Sequence, residues 1–286
     1  MTTLSVITPS FQQAKWLRLA IRSVADQREN SFELEHIVQD ACSSDGTEEL
    51  LKHSPNLQAV IEKDTGMYDA VNRGMRRSRG EIVAYLNCDE QYLPGVLSKV
   101  VRYFEKHPEI DMLFGGMVVV DAEGNYLCSR KTLPPLRAHT QVCHLSTFTC
   151  TTFFRRSILQ ERGLFFDEKW KAVGDADWIL RCLESGVTMA ALPEITSAFV
   201  ETGENLGFNP TGIAERIAFR KRAPLWAQYS APLIAAHHRL RRLLGGVYRQ
   251  IPFEYSIFTQ ASPSQRQIFS VPRPTTIWKQ RFTLLR

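Results

Sequence analysis

Ile82-Val83-Ala84-Tyr85-Leu86-Asn87-Cys88-Asp89-Glu90 is an apolar run of strand length that ends abruptly in an amide and two carboxylates. Pro94 follows, at a position suited to opening a helix. In an open α/β sheet, ligands gather beyond the carboxyl ends of such strands. Two adjacent acids leaving a buried strand end suit a hard divalent cation, which takes oxygen ligands. The plain alternative is a polar turn after a core strand, because acids favour turns in any case. The neighbouring segments decide between the two.

Upstream, the same arrangement recurs. Leu4-Ser5-Val6-Ile7-Thr8 is a short buried strand closed by Pro9-Ser10, and a helix is expected over 14–27, with Trp16, Leu17, Ala20, Ile21 and Val24 at helical spacing. A second strand over 35–40 ends in Asp40; Asp45, with Glu48 three residues on, then has the form of a helix cap. A third strand over 57–61 leads to Asp64, and a helix over 67–77 places Asp69 and Asn72 on one face near its N-terminus. Gly80 breaks that helix before the strand that ends at Asn87 and Asp89. Strands and helices alternating in this way predict a parallel sheet covered on both sides. Pro9-Ser10, Asp40, Asp64 and Asp89 then fall along one edge of it. There is no Gly-x-Gly-x-x-Gly and no Walker loop. This half is built to hold a nucleotide through carboxylates and a metal, which disfavours dehydrogenases and P-loop enzymes.

Downstream, a helix is expected over 94–107, then a hairpin of strands 112–120 and 126–129 about Asp121-Ala122-Glu123-Gly124-Asn125. Residues 130–148 read as an irregular segment crossing the site, followed by a strand over 150–154 and a short helix from 155. Gly174-Asp175-Ala176-Asp177-Trp178 opens a helix with two acids, a placement that the helix dipole alone also favours. A basic helix follows over 212–223. From Pro224 a helical run reaches about residue 249, interrupted at Pro232, and His237-His238 reads as helix surface. The last forty or so residues show no period and are expected either to wrap the body or to form a surface patch.

At 286 residues the chain fits one large α/β domain or one domain with an appendage, and 44% apolar against 23% charged residues is enough to bury a sizeable core. No apolar run approaches the roughly 18 residues that span a bilayer, and Met1-Thr2-Thr3-Leu4 does not read as a signal peptide. The cytoplasm is the expected compartment. The six cysteines form no Cys-x-x-Cys pair, so neither a zinc site nor a disulfide framework is expected. The net charge of +5 hides a split. Residues 214–286 carry 13 Lys and Arg against 2 Asp and Glu, whereas the rest carries 22 against 28. An acidic body with a basic tail predicts an anionic partner for the tail.

Five stretches together are recognisable: Val6-Ile7-Thr8-Pro9-Ser10-Phe11; Asp40 through Ser44-Asp45-Gly46-Thr47; Asp64-x-Gly66-x-Tyr68-Asp69-Ala70-x-Asn72; Leu86-Asn87-Cys88-Asp89-Glu90; and Gly174-Asp175-Ala176-Asp177-Trp178-x-Leu180-Arg181. In order and spacing, over roughly residues 3–205, the chain resembles a glycosyltransferase of family 2 with the GT-A fold, of the bacterial surface-polysaccharide kind. The resemblance implies a Rossmann-like, mostly parallel sheet with helices on both faces over residues 1–210, and leaves 211–286 as a basic, helical then irregular extension. It also implies a nucleoside-diphosphate sugar donor bordered by Thr8, Pro9, Ser10, Asp40, Asp64, Asp69, Asn72, Asn87 and Asp89. Asn87-x-Asp89 maps to the family's Asp-x-Asp motif. Asp89 is then the residue facing a divalent metal, Mn2+ or Mg2+, and Asn87 stands where an acid is usual. Asp175 matches the base that deprotonates the acceptor in an inverting displacement, with Asp177 as a supporting residue or fallback base. Where many relatives carry a metal-completing His after the last strand, this chain has Glu201 and Glu204 nearby instead.

The resemblance fades beyond about residue 210. A basic segment with Trp226, Tyr229, Leu243 and Leu244 suits the surface of a membrane, and an enzyme acting on a glycan or a polyprenyl-linked glycan at the inner face would benefit from that. The alternative is a solvated helix packed on the body. Nucleic acid is not expected as a partner, since no recognition motif appears and the body is acidic. Two other functions remain in view. One is a nucleotidyltransferase, which would need a basic phosphate-gripping loop near the first strand. The other is a degenerate GT-A module that binds without turnover, raised by Asn87 and the missing histidine.

Overall fold

The computed structural model describes residues 1–202 and 210–278. Thr3–Ser10 forms β1, Ala14–Ala25 α1, Glu33–Asp40 β2, Thr47–Lys52 α2, Gln58–Ile61 β3, Met67–Arg77 α3 and Ile82–Tyr85 β4. β1 lies parallel to β2 and β4, and β2 lies parallel to β3. Successive strand residues face opposite sides of a sheet. Leu4, Val6, Ile82 and Ala84 accordingly enter one core while Ile7, Val83 and Tyr85 enter the other. Helix α3 sits close on β1 because Gly74 has no side chain: a Cβ there would lie 2.4 Å from Ile7 Cγ2. The register puts Ser10 beside Asp40 and Asp40 beside Ile61, so the strands end together along one edge.

The chain then forms β5 (Glu90–Tyr92), α4 (Val96–Lys106), β6 (Met112–Val120), β7 (Tyr126–Arg130), α5 (Arg137–Val142), β8 (Thr152–Arg155), α6 (Ser157–Gln160), α7 (Gly174–Glu184) and β9 (Met189–Val200). The sheet runs β3-β2-β1-β4-β8-β6-β9-β5, with β7 paired to β6. Its first four strands are parallel. β8 turns antiparallel to both β4 and β6, β9 runs parallel to β6, and β5 closes antiparallel on β9. This is the parallel sheet that the spacing predicts, in the Rossmann-like arrangement that the resemblance implies, extended by a mixed half.

Several boundaries differ from the sequence expectation for local reasons. The strand of the opening stretch ends at Tyr85, and Glu90 already belongs to β5. Gly95 takes a left-handed φ of 68° ahead of α4, so Pro94 precedes that helix and does not open it. Residues 130–148 contain the short helix α5.

Beyond the sheet, Pro210–Lys221 forms α8, Leu225–Tyr229 α9 and Ala231–Leu244 α10, followed by an antiparallel hairpin of β10 (Phe253–Ile257) and β11 (Gln267–Val271). The break in the long helical run falls at Ser230, and Pro232 is accommodated in the first turn of α10, where its missing N–H costs nothing. Tyr255, Ile257, Phe258, Val271 and Trp278 are buried in the same core as β1, α1 and α4. Of the two dispositions open to the last residues, the described part wraps the body.

Candidate active site

A cleft of about 1860 Å³ opens beyond the carboxyl ends of the parallel strands. Pro9 and Ser10 from the end of β1, Asp64 after β3, and Asn87 and Asp89 after β4 line one side. Asp175, in the first turn of α7, lines it as well, together with Thr140, Gln141 and Cys143 of the α5 segment. Helix α8 contributes Ile213, Arg216, Ile217 and Arg220. Asp89 and Asp175, distant in sequence, thus open on one space, and the 130–148 segment borders it as expected.

The turn after β4 separates the two acids of the opening stretch. Glu90 is buried, accepts the Asn87 backbone N–H at 2.8 Å and the Thr149 hydroxyl at 2.8 Å, and holds the turn in shape. Both acids border the cleft, and of the two Asp89 is only partly covered. Burial raises both carboxyls above the ordinary range, and Glu90 is raised further by the charge of Asp89. Glu90 also takes a side-chain hydrogen bond from Asn87, whose carbonyl oxygen is buried without a partner. Among the described residues, no three His, Cys, Asp or Glu side chains converge as a metal cage. One carboxylate and one orphaned carbonyl oxygen fit a cation of the Mg2+ type, which takes one or two protein ligands and completes its shell with substrate phosphates and water.

Asp175 is positioned from three directions. Its backbone N–H donates to the Tyr68 hydroxyl at 3.2 Å, and its Oδ1 accepts the Ala176 N–H at 2.8 Å. The Tyr68 ring stacks on Phe166 with centroids 5.1 Å apart, and a Cβ on Gly174 would lie 2.6 Å from it. Glycine at 174 is therefore what lets α7 begin against that ring. Glu215 of α8 accepts N–H groups of Lys171 at 2.8 Å, Ala172 at 2.8 Å and Val173 at 3.2 Å, fastening the loop that enters α7. Asp177, the fallback base, is buried between Arg181 at 2.8 Å and Arg222 at 2.7 Å. That environment makes it a supporting residue.

The remaining expected residues lie around the cleft and not at its surface. Asp40 is wholly buried and accepts the Ser43 N–H and hydroxyl at 2.8 and 2.7 Å, directly under Ala41 and Cys42, which do line the cleft. Thr8 is buried against His36, with its hydroxyl 2.9 Å from Nε2. Asp69 accepts Arg73 Nε at 2.8 Å and the Thr65 N–H at 2.9 Å, and the guanidinium holds its carboxyl below the usual range. Asn72 donates to the Phe166 carbonyl at 3.0 Å and accepts the Phe166 N–H at 2.9 Å. Asp69 and Asn72 thereby shape the two loops that carry Asp64 and approach Tyr68. Asp64 itself accepts the Gly66 N–H at 2.9 Å, and burial raises its carboxyl. Asp45 is structural but not the cap that its spacing predicts: Gly46 stands at the cap of α2, and Asp45 instead accepts the Ala14 N–H at 2.7 Å, ahead of α1, and the Thr47 hydroxyl at 2.6 Å.

Glu201 accepts Trp278 Nε1 at 2.9 Å and ties down the chain after β11; Glu204 lies outside the described residues. The cysteines form no disulfide among the described residues. His237 is exposed as expected, whereas His238 turns inward to His139 at 3.1 Å. No described helix is long and apolar enough to cross a membrane. Tyr68, Gly174 and Glu215 were not foreseen as site residues; the nearest signal was Tyr68 and Gly174 standing inside recognised motifs.

A parallel half-sheet with acids beyond its carboxyl ends, joined to a mixed half that carries a further acid on α7, is the GT-A arrangement of sugar transferases. The chain belongs to Glycosyl transferase family 2, whose model matches residues 5–163. It is similar to a PGL/p-HBAD biosynthesis glycosyltransferase of Mycobacterium bovis, 26% identical over 187 residues that make up 63% of this chain and 70% of the relative. It is also similar to a putative teichuronic acid biosynthesis glycosyltransferase, TuaG, of Bacillus subtilis, 30% identical over 35% of this chain and 40% of that one. Among solved structures, S. aureus TarS in complex with UDP-GlcNAc has a TM-score of 0.61 at 18% identity, covering 85% of this chain and 73% of that one. The mannosyltransferase PcManGT of Pyrobaculum calidifontis, in complex with GDP-Man and Mn2+, has a TM-score of 0.52 at 17% identity, covering 86% and 81%. These two likenesses are of fold.

Proposed function

We propose that this glycosyltransferase moves a sugar, with inversion at the anomeric carbon, from a nucleoside-diphosphate sugar to a hydroxyl of a glycan or polyprenyl-linked glycan in polysaccharide or glycoconjugate biosynthesis. The observation that carries the reading is the opening of Asp89 and Asp175 onto one cleft. Asp175 takes the proton of the attacking hydroxyl. That oxygen bonds to the anomeric carbon as the bond to the diphosphate oxygen breaks, and the electron pair leaves with the diphosphate. A single displacement with a single base inverts the carbon. Asp89, with the Asn87 carbonyl, would hold a divalent cation, Mn2+ or Mg2+; when bound, it neutralises charge on the leaving diphosphate.

Pro9, Ser10 and Asp64 border the donor, while Asp40 and Thr8 support its pocket from beneath. Asp69 and Asn72 hold the loops in place. In this reading residues 1–210 supply the donor site, and 211–286 complete the acceptor side through α8, with the protein working at the inner face of a membrane. TarS in complex with UDP-GlcNAc and PcManGT in complex with GDP-Man differ in base, which supports the donor class without choosing the nucleotide.

A thermal-shift series with UDP, GDP, CDP and dTDP, each with and without MnCl2, tests the reading. A ligand at 100 times its Kd stabilises the folded chain by about 2.7 kcal/mol, so at least one nucleotide raises Tm by about 5 °C or more in the presence of manganese. A Tm unmoved by every nucleoside diphosphate, with and without metal, contradicts it. A Tm shift without turnover on any donor sugar leaves a binding module.

A further inference from the structure

Helices α9 and α10 carry apolar side chains on the face turned away from the body. A surface helix ordinarily buries its apolar stripe and leaves its polar face in water. Here the inner face of the pair is already supplied: Ala227 and Ile234 pack with Val142 and Ala223, and His238 is buried against His139. Outside, Leu225, Trp226 and Tyr229 stand exposed on α9, and Leu233, Leu240 and Leu244 on α10. At about 100° per residue the last three fall within about 40° of one another, a continuous outward row. Tyr229 is 83% and Leu244 79% exposed, so among the described residues nothing covers the row.

The charge around this row is of one sign. Residues 210–251 hold eight Arg and Lys and a single acid, Glu215. The carboxylate of Glu215 is engaged by the backbone N–H groups of residues 171–173. Arg239, beside the row, and Arg249, after it, are exposed. Leucine with Trp and Tyr at the margin and arginines around them matches the layering of a bilayer interface: acyl chain, carbonyl zone, anionic headgroup.

We propose that the outward face of α9 and α10 docks this protein on an anionic phospholipid surface. The exposed row and its charge suit a bilayer better than a soluble partner, because cations flank the row and no acid interrupts residues 216–251. Helix α8, which lines the cleft with Ile213, Arg216, Ile217 and Arg220, runs into this face through Pro224. A docked protein therefore holds its cleft beside the lipid surface, where a lipid-linked acceptor is presented. Docking itself does not depend on the transfer reading, since it needs neither donor nor metal.

Co-sedimentation with large vesicles tests it, using phosphatidylcholine with 30% phosphatidylglycerol against pure phosphatidylcholine. The protein pellets with the anionic vesicles and is released by 0.5 M NaCl. Trp226→Ser with Leu233→Ser, and separately Arg239→Gln with Arg249→Gln, each weaken binding about tenfold or more. All four positions are exposed, so Tm and the nucleotide-induced thermal shift, measured without vesicles, stay as in the parent. No binding to the anionic vesicles, or binding by both variants as tight as the parent's, overturns the proposal. So does a parent dimer, seen by light scattering, that ignores vesicles and dissociates in the Trp226→Ser/Leu233→Ser variant: the face is then a contact between copies. A missing nucleotide shift with intact vesicle binding defeats only the transfer reading.

Discussion

His36 shows how much of the site's support lies out of sight of the cleft. It sits on β2 behind Thr8, buried, with Nε2 at 2.9 Å from the threonine hydroxyl, and burial depresses its pKa to about 3. An unfolded chain binds a proton on this ring as the pH falls below about 6.5, while the folded chain stays neutral until about 3. Stability from this residue is thus fully present above pH 6.5 and is lost on acidification, by up to about 1.4 kcal/mol per pH unit inside that window. Urea denaturation from pH 7 to 4 should give His36→Gln a shallower loss of stability than the parent; parallel curves would contradict the burial argument. Asp69 and Asn72 teach the same lesson from the sequence side. An acid and an amide three residues apart at a helix start look alike whether they face a ligand or a neighbouring loop. Nothing within α3 discloses that Asn72 exchanges hydrogen bonds with the backbone of Phe166, far along the chain, and donates another to Glu168. Asp89 and Glu90 are adjacent in sequence and both border the cleft, yet Glu90 is buried and engaged by the turn, because β5 begins at once.

At the scale of elements, α8 and the loop into α7 act together. Glu215 accepts three backbone N–H groups just before Gly174 and Asp175, and charge-assisted bonds of this kind are the stronger ones. Glu215→Gln keeps the shape and removes the charge, so the loop loosens and Asp175 is less well aimed. A lapse of about an ångström at a reacting group costs up to about a hundredfold in rate. The expected outcome is kcat lower by about tenfold or more with donor Kd unchanged; a normal kcat, or donor binding lost in proportion, would contradict this role. The parallel half of the sheet was legible because its strands are apolar and cut off by polar residues. The hairpin of β10 and β11 was not: Phe253-Glu254-Tyr255-Ser256-Ile257 alternates as a strand does, but its partner Gln267–Val271 buries only Val271 and does not repeat the pattern. Glu215 was hidden by the opposite charge of the helix around it.

For the whole molecule, the acidic body and basic tail read from composition correspond to a cleft whose acids come from the sheet side and from α7, and whose arginines come from α8. Convergence of Asp89 and Asp175 was implied by resemblance and by the strand-end rule for α/β sheets; spacing alone gives no reason for α7 to turn toward β4. Tyr68 and Gly174 supply that reason, through a ring and a missing side chain. The most direct measurement is sugar transfer by Asp175→Asn, with donor binding followed by calorimetry in manganese. Loss of the base should lower transfer about a hundredfold or more while the donor binds with the parent's affinity. Transfer at the parent's rate by Asp175→Asn would contradict the account at its centre.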